Sequence, residues 1–275
     1  MTEDGPPPSI EAIWARYDAD EARLSAPLSE RMLDLAELRP GMQVLDIASG
    51  RGEPALRAAR RVAPKGRVVG TDCAESMLRM AQARAQREGV RNLELRRLAA
   101  ESLATLPQAS FDAALARWGL MYLEDPVAAL KGARHALRPG GLLVVAVWAE
   151  PERVPYFSLP REVLARHAPV PPIEIGVQGT FRYAAADALA RDLVESGFDL
   201  LAQEEVEVDV MEARTPAELV AWTRAFGMGR LLNTLPQTVQ RAWAADLVAM
   251  APSLRKGGVM RLGGVTRIVV ARRAA

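Results

Sequence analysis

The stretch VLDIASGRGEP, residues 44–54, alternates apolar residues up to an acid, Asp46, and then runs into Gly50 and Gly52. It reads as a strand, a glycine turn and a helix start, with Pro54 suited to the first helical turn. Such a turn presents free backbone N–H groups and the positive end of a helix dipole at the carboxyl edge of a sheet. The two glycines let something approach where a Cβ would block it.

Strands and helices alternate outward from this point. MQVLDIA (42–48) precedes a helix over 53–62, GRVVGTD (66–72) a helix over 74–88, and LELRRLA (93–99) leads on to FDAALARW (111–118). A helix over 126–137, the turn RPGG and the strand LLVVAVW (142–148) follow, the last apolar enough to be covered on both faces. Repeated β-α units predict an α/β fold, a doubly wound, Rossmann-like and mostly parallel sheet.

Other regions depart from that rhythm. The start, MTEDGPPPSI, reads as disordered, and residues 10–38 as one or two amphipathic helices stopped by RPG. After Trp148 a stretch rich in proline and aromatics reads as a loop and short helix. A helix over 184–196, an edge strand EEVEVDV (204–210) and a last strand VTRIVVARR (265–273) complete the sheet. The roughly fifty residues between those strands are mostly at helical spacing, too long for a hairpin connection, and read as a lid. The expected organisation is a helical lid segment at 1–40, a core at 41–150, an insert at 151–180, more core at 181–210, a lid at 211–262 and a final strand at 263–275.

Composition narrows the chemistry. Lys and Arg total 35 against 34 Asp and Glu, which gives no broad positive field for nucleic acid. Cys73 is the one cysteine, and His135 and His167 are far apart, so no disulfide framework or zinc site is expected. The longest apolar run, GLLVVAVWA (141–149), is far below the ~20 residues of a spanning helix. A cytoplasmic protein, monomeric or homodimeric, without membrane insertion, is expected. The arginine-rich stretches RAARRVAPKGR and MAQARAQREGV read as solvated helix faces with paired acids.

On pattern alone GRGEPA also fits the dinucleotide fingerprint, and Asp72 follows Gly52 by twenty residues, where a carboxylate takes ribose hydroxyls. Asp46 argues against that reading, since it sets a negative charge where a pyrophosphate would be repelled and a cation favoured.

VLDIASGRG, then GTDCAESML, then FDAALARWGLMYLEDPVAALKGARHALRPGGLLVVAVW together resemble the class I S-adenosylmethionine-dependent methyltransferases. The likeness is to the small-molecule branch of ubiquinone and menaquinone biosynthesis methyltransferases. It spans residues 10–150 with specific motifs and 180–275 more loosely, and implies seven strands with the last reversed. By this resemblance Asp46, Ala48, Ser49, Gly50 and Gly52 face the methionine part of S-adenosylmethionine, with S-adenosylhomocysteine as the product. Ala48 stands where the family often has glycine. Asp72 would hold the ribose, and Cys73 and Met77 would flank the adenine unless they only pack. Ala99 stands where the family commonly has an acid for the adenine amino group. Ala100, Glu101 and Ser102 are candidate replacements, although Glu101 also suits a helix start.

ARWGLMY places Arg117, Trp118 and Tyr122 at the rim where the transferred methyl would point, with Arg117 counted among the cofactor contacts. Tyr17 is similar to a lid tyrosine of related enzymes; it also fits a half-buried helix aromatic. Phe157, Trp222, Phe226 and Met228 either line an apolar acceptor pocket or hold the lid helices together. His167 is the candidate general base, against a solvent-facing or core-satisfied role, and His135 fits a helix C-terminus.

The expected activity is methyl transfer to an oxygen, nitrogen or carbon nucleophile, oxygen favoured, of a small, largely apolar acceptor in specialised metabolism or quinone-like biosynthesis. The alternatives are an NAD(P)-dependent oxidoreductase and a protein that binds the cofactor without methylating.

Overall fold

The computed structural model describes residues 10–274; the proline-rich start expected to be disordered lies outside them. The chain divides into two compact units. One takes the chain up to Ser25, Pro155–Pro171 and Asp209–Gly263; the other takes Ala26–Val154, Pro172–Val208 and the chain from Gly264 on.

The second unit is the sheet-centred one. Its entry helix buries Leu28, Ser29, Met32 and Leu33, residues three and four apart that share one face. With the helix of the other unit counted first, the elements run α1 (Ile10–Leu24), α2 (Ala26–Leu35), β1 (Gln43–Ile47), α3 (Ala55–Val62), β2 (Arg67–Asp72), α4 (Glu75–Arg87), β3 (Leu93–Arg97) and β4 (Phe111–Arg117). Then come α5 (Pro126–Ala136), β5 (Leu137–Trp148), α6 (Pro155–Ala165), α7 (Ala188–Glu195) and β6 (Phe198–Ala213). The chain closes with α8 (Pro216–Thr223), α9 (Gly229–Leu232), α10 (Gln237–Met250), β7 (Arg255–Lys256) and β8 (Val259–Arg273).

The sheet order is β3-β2-β1-β4-β5-β8-β6, with β7 paired to β8. β1 to β5 pair in parallel, and β8 runs antiparallel to β5, as the doubly wound reading with a reversed last strand requires. The eighth strand is β7, a two-residue addition. From β1 the chain steps outward to β2 and β3, then returns to place β4 on the other side. The order therefore reverses between β1 and β4, where doubly wound sheets hold ligands.

Three strands extend beyond their expected limits: β5 starts at Leu137, so the RPGG expected as a turn lies inside it. β6 starts directly after Gly197, whose φ of 82° ends α7, so the exposed residues 199–203 belong to the strand although they show no alternation. β8 likewise starts at Val259.

In the helical unit, α8 and α9 form one interrupted helix. The break falls at Phe226 (φ −107°, ψ 101°) and Gly227 (φ 90°), and only glycine takes the second of these without strain. No helix of the described residues is long and apolar enough to cross a membrane.

Candidate functional site

The carboxyl ends of β1, β2 and β4 bring the turn residues into one place. Strand pairing puts Asp46 level with Gly70 of β2 and Leu115 of β4. Beyond β1 the backbone enters left-handed conformations at Ala48 (φ 52°), Gly50 (φ 52°) and Gly52 (φ 93°). The Gly52 N–H donates to the Ser49 carbonyl at 2.8 Å, and the Leu56 N–H to the Gly52 carbonyl at 2.8 Å, so the turn feeds straight into α3. A Cβ on Gly52 would lie 3.0 Å from Leu56 Cδ1.

Asp72, at the end of β2, is tied into the same turn. Its Oδ2 accepts the Gly50 N–H at 2.9 Å and its Oδ1 the Ala74 N–H at 2.8 Å. These charge-assisted bonds fix the carboxylate while each oxygen keeps a lone pair for a further donor. Cys73 beside it is exposed and Met77 is half-buried.

Asp46 is completely buried, and burial lifts its carboxyl to about 8 despite the opposing pull of the Arg117 guanidinium. One oxygen accepts the Ala55 N–H at 3.1 Å. The other, Oδ1, has no hydrogen-bond partner among the described residues, and neither has the buried Ser49 Oγ. Ser49 packs over Gly70, where a Cβ would fall 2.9 Å from its Oγ. Two buried polar atoms without partners beneath a glycine turn fit the cationic amino-acid end of S-adenosylmethionine, whose ammonium would find an acceptor in each.

Where the sequence reading has a fixed negative charge, burial outweighs the pull of Arg117 and pushes the Asp46 carboxyl up, toward its neutral form.

The rim after β4 is more constrained than its sequence suggests. Trp118 has φ 55°, uncommon for a bulky residue, and its ring stacks on Trp148 at 4.5 Å with an 11° interplanar angle. Its indole N–H donates to Thr266 Oγ1 at 3.2 Å, and the Arg117 guanidinium lies 4.8 Å from its ring centroid. Arg117 also donates to the buried Ser29 Oγ at 3.4 Å. Tyr122 is exposed, and its hydroxyl meets Thr180 Oγ1 at 3.2 Å.

Ala99 caps a short 3-10 helix, Ala100–Thr105, which carries the candidate adenine contacts. Ala100 is buried and Ser102 exposed, and Glu101 Oε1 accepts the Glu124 N–H at 3.2 Å.

Sequence reasoning missed two residues here. Glu53, in the turn itself, is buried and clasped by Arg84 at 2.5 Å and Arg57 at 3.1 Å. The arginine-rich stretches were expected to be solvated throughout; Arg84 is instead only 8% exposed, because it reaches inward to Glu53 and Glu88. The i, i+4 spacing of Glu53 to Arg57 and of Arg84 to Glu88 is the available signal. Gly119 is the other: a Cβ there would lie 2.6 Å from the Cβ of Ala48.

The helical unit gathers its own candidates. Tyr17 is buried, its ring 4.4 Å from Trp222 and 5.5 Å from Phe226, and Phe226 is 4.5 Å from Trp14. Trp222 donates to the Tyr156 hydroxyl at 3.4 Å, and Phe157 meets Tyr156 edge-on at 4.7 Å. Met228, past the Gly227 break, belongs instead to a second cluster with Val163, Leu164, Leu232, Trp243 and Leu247. His167 Nε2 pairs with Asp246 Oδ2 at 3.0 Å, joining the end of α6 to α10.

Comparison with known proteins adds to this geometry. Residues 38–162 match a family model described as a methyltransferase domain. The chain is 31% identical to the nocamycin O-methyltransferase of Saccharothrix syringae over 258 residues, 88% of this chain and 89% of that protein. It is 34% identical over 146 residues to the ubiquinone/menaquinone biosynthesis C-methyltransferase UbiE of Shewanella sp. strain W3-18-1, a match reaching 58% of that enzyme. Among solved structures, the [4+2]-cyclase SpnF overlays with a TM-score of 0.57 at 20% identity, covering 98% of each chain.

Proposed function

Because this chain belongs to the S-adenosylmethionine-dependent methyltransferases of small molecules, we propose that it methylates an oxygen of a small, largely apolar acceptor. Membership of that family removes the dinucleotide reading of GRGEPA. The cofactor supplies a methyl already activated by positive sulfur, so alignment of acceptor, methyl and sulfur and exclusion of water account for most of the acceleration.

In this reading Asp46 and Ser49 take the ammonium, Gly50 and Gly52 allow the close approach, and Asp72 accepts the ribose hydroxyls. The similarity to an O-methyltransferase over 88% of this chain and 89% of that protein supports oxygen over nitrogen and carbon.

The observation that carries the acceptor class is the ring cluster of Trp14, Tyr17, Trp222 and Phe226 at the broken turn between α8 and α9. Trp14 and Tyr17 from α1, Trp222 from α8 and Phe226 at the break form an apolar ring cluster beside an interrupted helix, and such interruptions recur at functional sites. His167 is engaged by Asp246, and the mechanism assigned here asks for no dedicated base.

The test is direct. Purified protein is incubated with methyl-labelled S-adenosylmethionine and a panel of apolar phenols, enols, acids, amines and C-nucleophiles, and the labelled atom is located by fragmentation. O-methyl products are expected; exclusive N- or C-methylation overturns the assignment.

A further inference from the structure

The buried pair beneath the glycine turn has a thermodynamic consequence. Asp46 is 0% exposed and Ser49 1%, and the open atoms Oδ1 and Oγ belong to the same turn. The charged groups that face Asp46 are Arg117 from β4, Glu53 from the turn and Asp72 from β2. Arg117 favours the ionised carboxylate, while Glu53 and Asp72 oppose it. A bare carboxylate oxygen in that setting is strongly disfavoured, so the free protein keeps a proton there. A ligand ammonium or sulfonium beside Oδ1 reverses the balance, because the cation favours the charged form that burial penalises.

Building on the cofactor site assigned above, we propose that loading S-adenosylmethionine expels one proton from Asp46 to the solvent, so that cofactor affinity is set by pH. The O–H bond of the carboxylic acid breaks, the proton passes to buffer, and the carboxylate left behind pairs with the incoming cation. No other bond changes. Linkage makes the effect reciprocal: raising the pH strengthens cofactor binding, and bound cofactor acidifies Asp46. The ligand-free fold shows the opposite trend. Its carboxyl stands far above the unfolded value, so Asp46 contributes stability at acid pH that is lost as pH rises toward about 8.

Calorimetric titration of the full chain with S-adenosylmethionine and with S-adenosylhomocysteine, in three buffers of different ionisation enthalpy, counts the protons. Below pH 7 release of up to one proton per ligand bound is expected, giving way toward pH 9 to no release or to uptake, because the free ligand's α-amino group must itself be protonated to pair with Asp46. The affinity should rise by up to tenfold per pH unit below the transition and fall again once the free ligand's α-ammonium loses its proton. Release with both ligands assigns the trigger to the shared ammonium, and release with S-adenosylmethionine alone assigns it to the sulfonium. The Asp46→Asn variant should bind without proton release; the wild-type pH series stands without it if that variant fails to fold. Tight binding with no proton exchange and flat affinity from pH 6 to 9 overturns the linkage and leaves the site assignment intact. Failure of both ligands to bind the wild-type chain overturns the site assignment as well.

Discussion

Replacing Gly119 by alanine tests the packing of the site floor at a single atom. Its backbone, φ −104° and ψ −45°, accepts any residue, so the change brings no backbone strain. The added Cβ meets one severe contact, the Ala48 Cβ at 2.6 Å; the next atom, the Ile47 carbonyl oxygen, is at an ordinary 3.6 Å. Overpacking of this kind costs about 1–3 kcal/mol. Ala48 itself holds a left-handed φ of 52°, which costs an L-residue roughly 1–2 kcal/mol, so Ala48→Gly loses little even after the ~0.5–1 kcal/mol entropy penalty of glycine. In the double variant the clash vanishes, and Gly119→Ala should be neutral or slightly stabilising there. The four proteins form a cycle whose coupling should be at least ~1 kcal/mol, read from urea midpoints at unchanged slope. Single effects that add to within ~0.5 kcal/mol would refute the argument that one methyl group decides the fit. Cofactor affinity should follow the same order, since Ala48 and Gly119 flank the β1–β4 switch.

Asp72→Asn replaces an acceptor oxygen by a donor that must face the N–H of Gly50 or Ala74, so calorimetric cofactor affinity should fall by about 1.5–3 kcal/mol; unchanged affinity would remove Asp72 from the site. Cys73 is exposed and is the one thiol of the chain, so its alkylation rate, followed by mass, should drop severalfold when cofactor saturates the protein; an unaltered rate would move the adenine elsewhere. His167→Ala should cost up to ~1 kcal/mol of stability through the lost Asp246 pair while leaving the pH profile of turnover in place, and loss of the acid limb from that profile would restore His167 as a base.

The sheet was legible because its signals are local and repeated. Apolar runs such as LLVVAVW and the left-handed glycines Gly50 and Gly52 each fix one element without help from distant residues. What escaped depends on contacts across the fold. Arg84 looks like any arginine on a helix face until Glu53 comes within 2.5 Å from a turn thirty-one residues earlier. Gly119 has meaning only beside Ala48, and Met228 leaves the company of Phe226 only because Gly227 turns the chain between them. The upward push on the Asp46 carboxyl was hidden for the same reason: how far burial disfavours the charge of a carboxylate at a strand end depends on the volume of protein over it, which periodicity does not reveal.

The helical unit is assembled from three separated stretches, with Tyr17 meeting Trp222 about two hundred residues further along the chain. On the ribosome α1 is made about two hundred residues before the rings that cover Tyr17. A nascent chain therefore carries an aromatic face without cover while those residues are made, and this long-range closure comes late in folding. Any truncation that removes β8 and the helices before it would leave that face open for good, and aggregation rather than a stable fragment is the outcome this chain order favours.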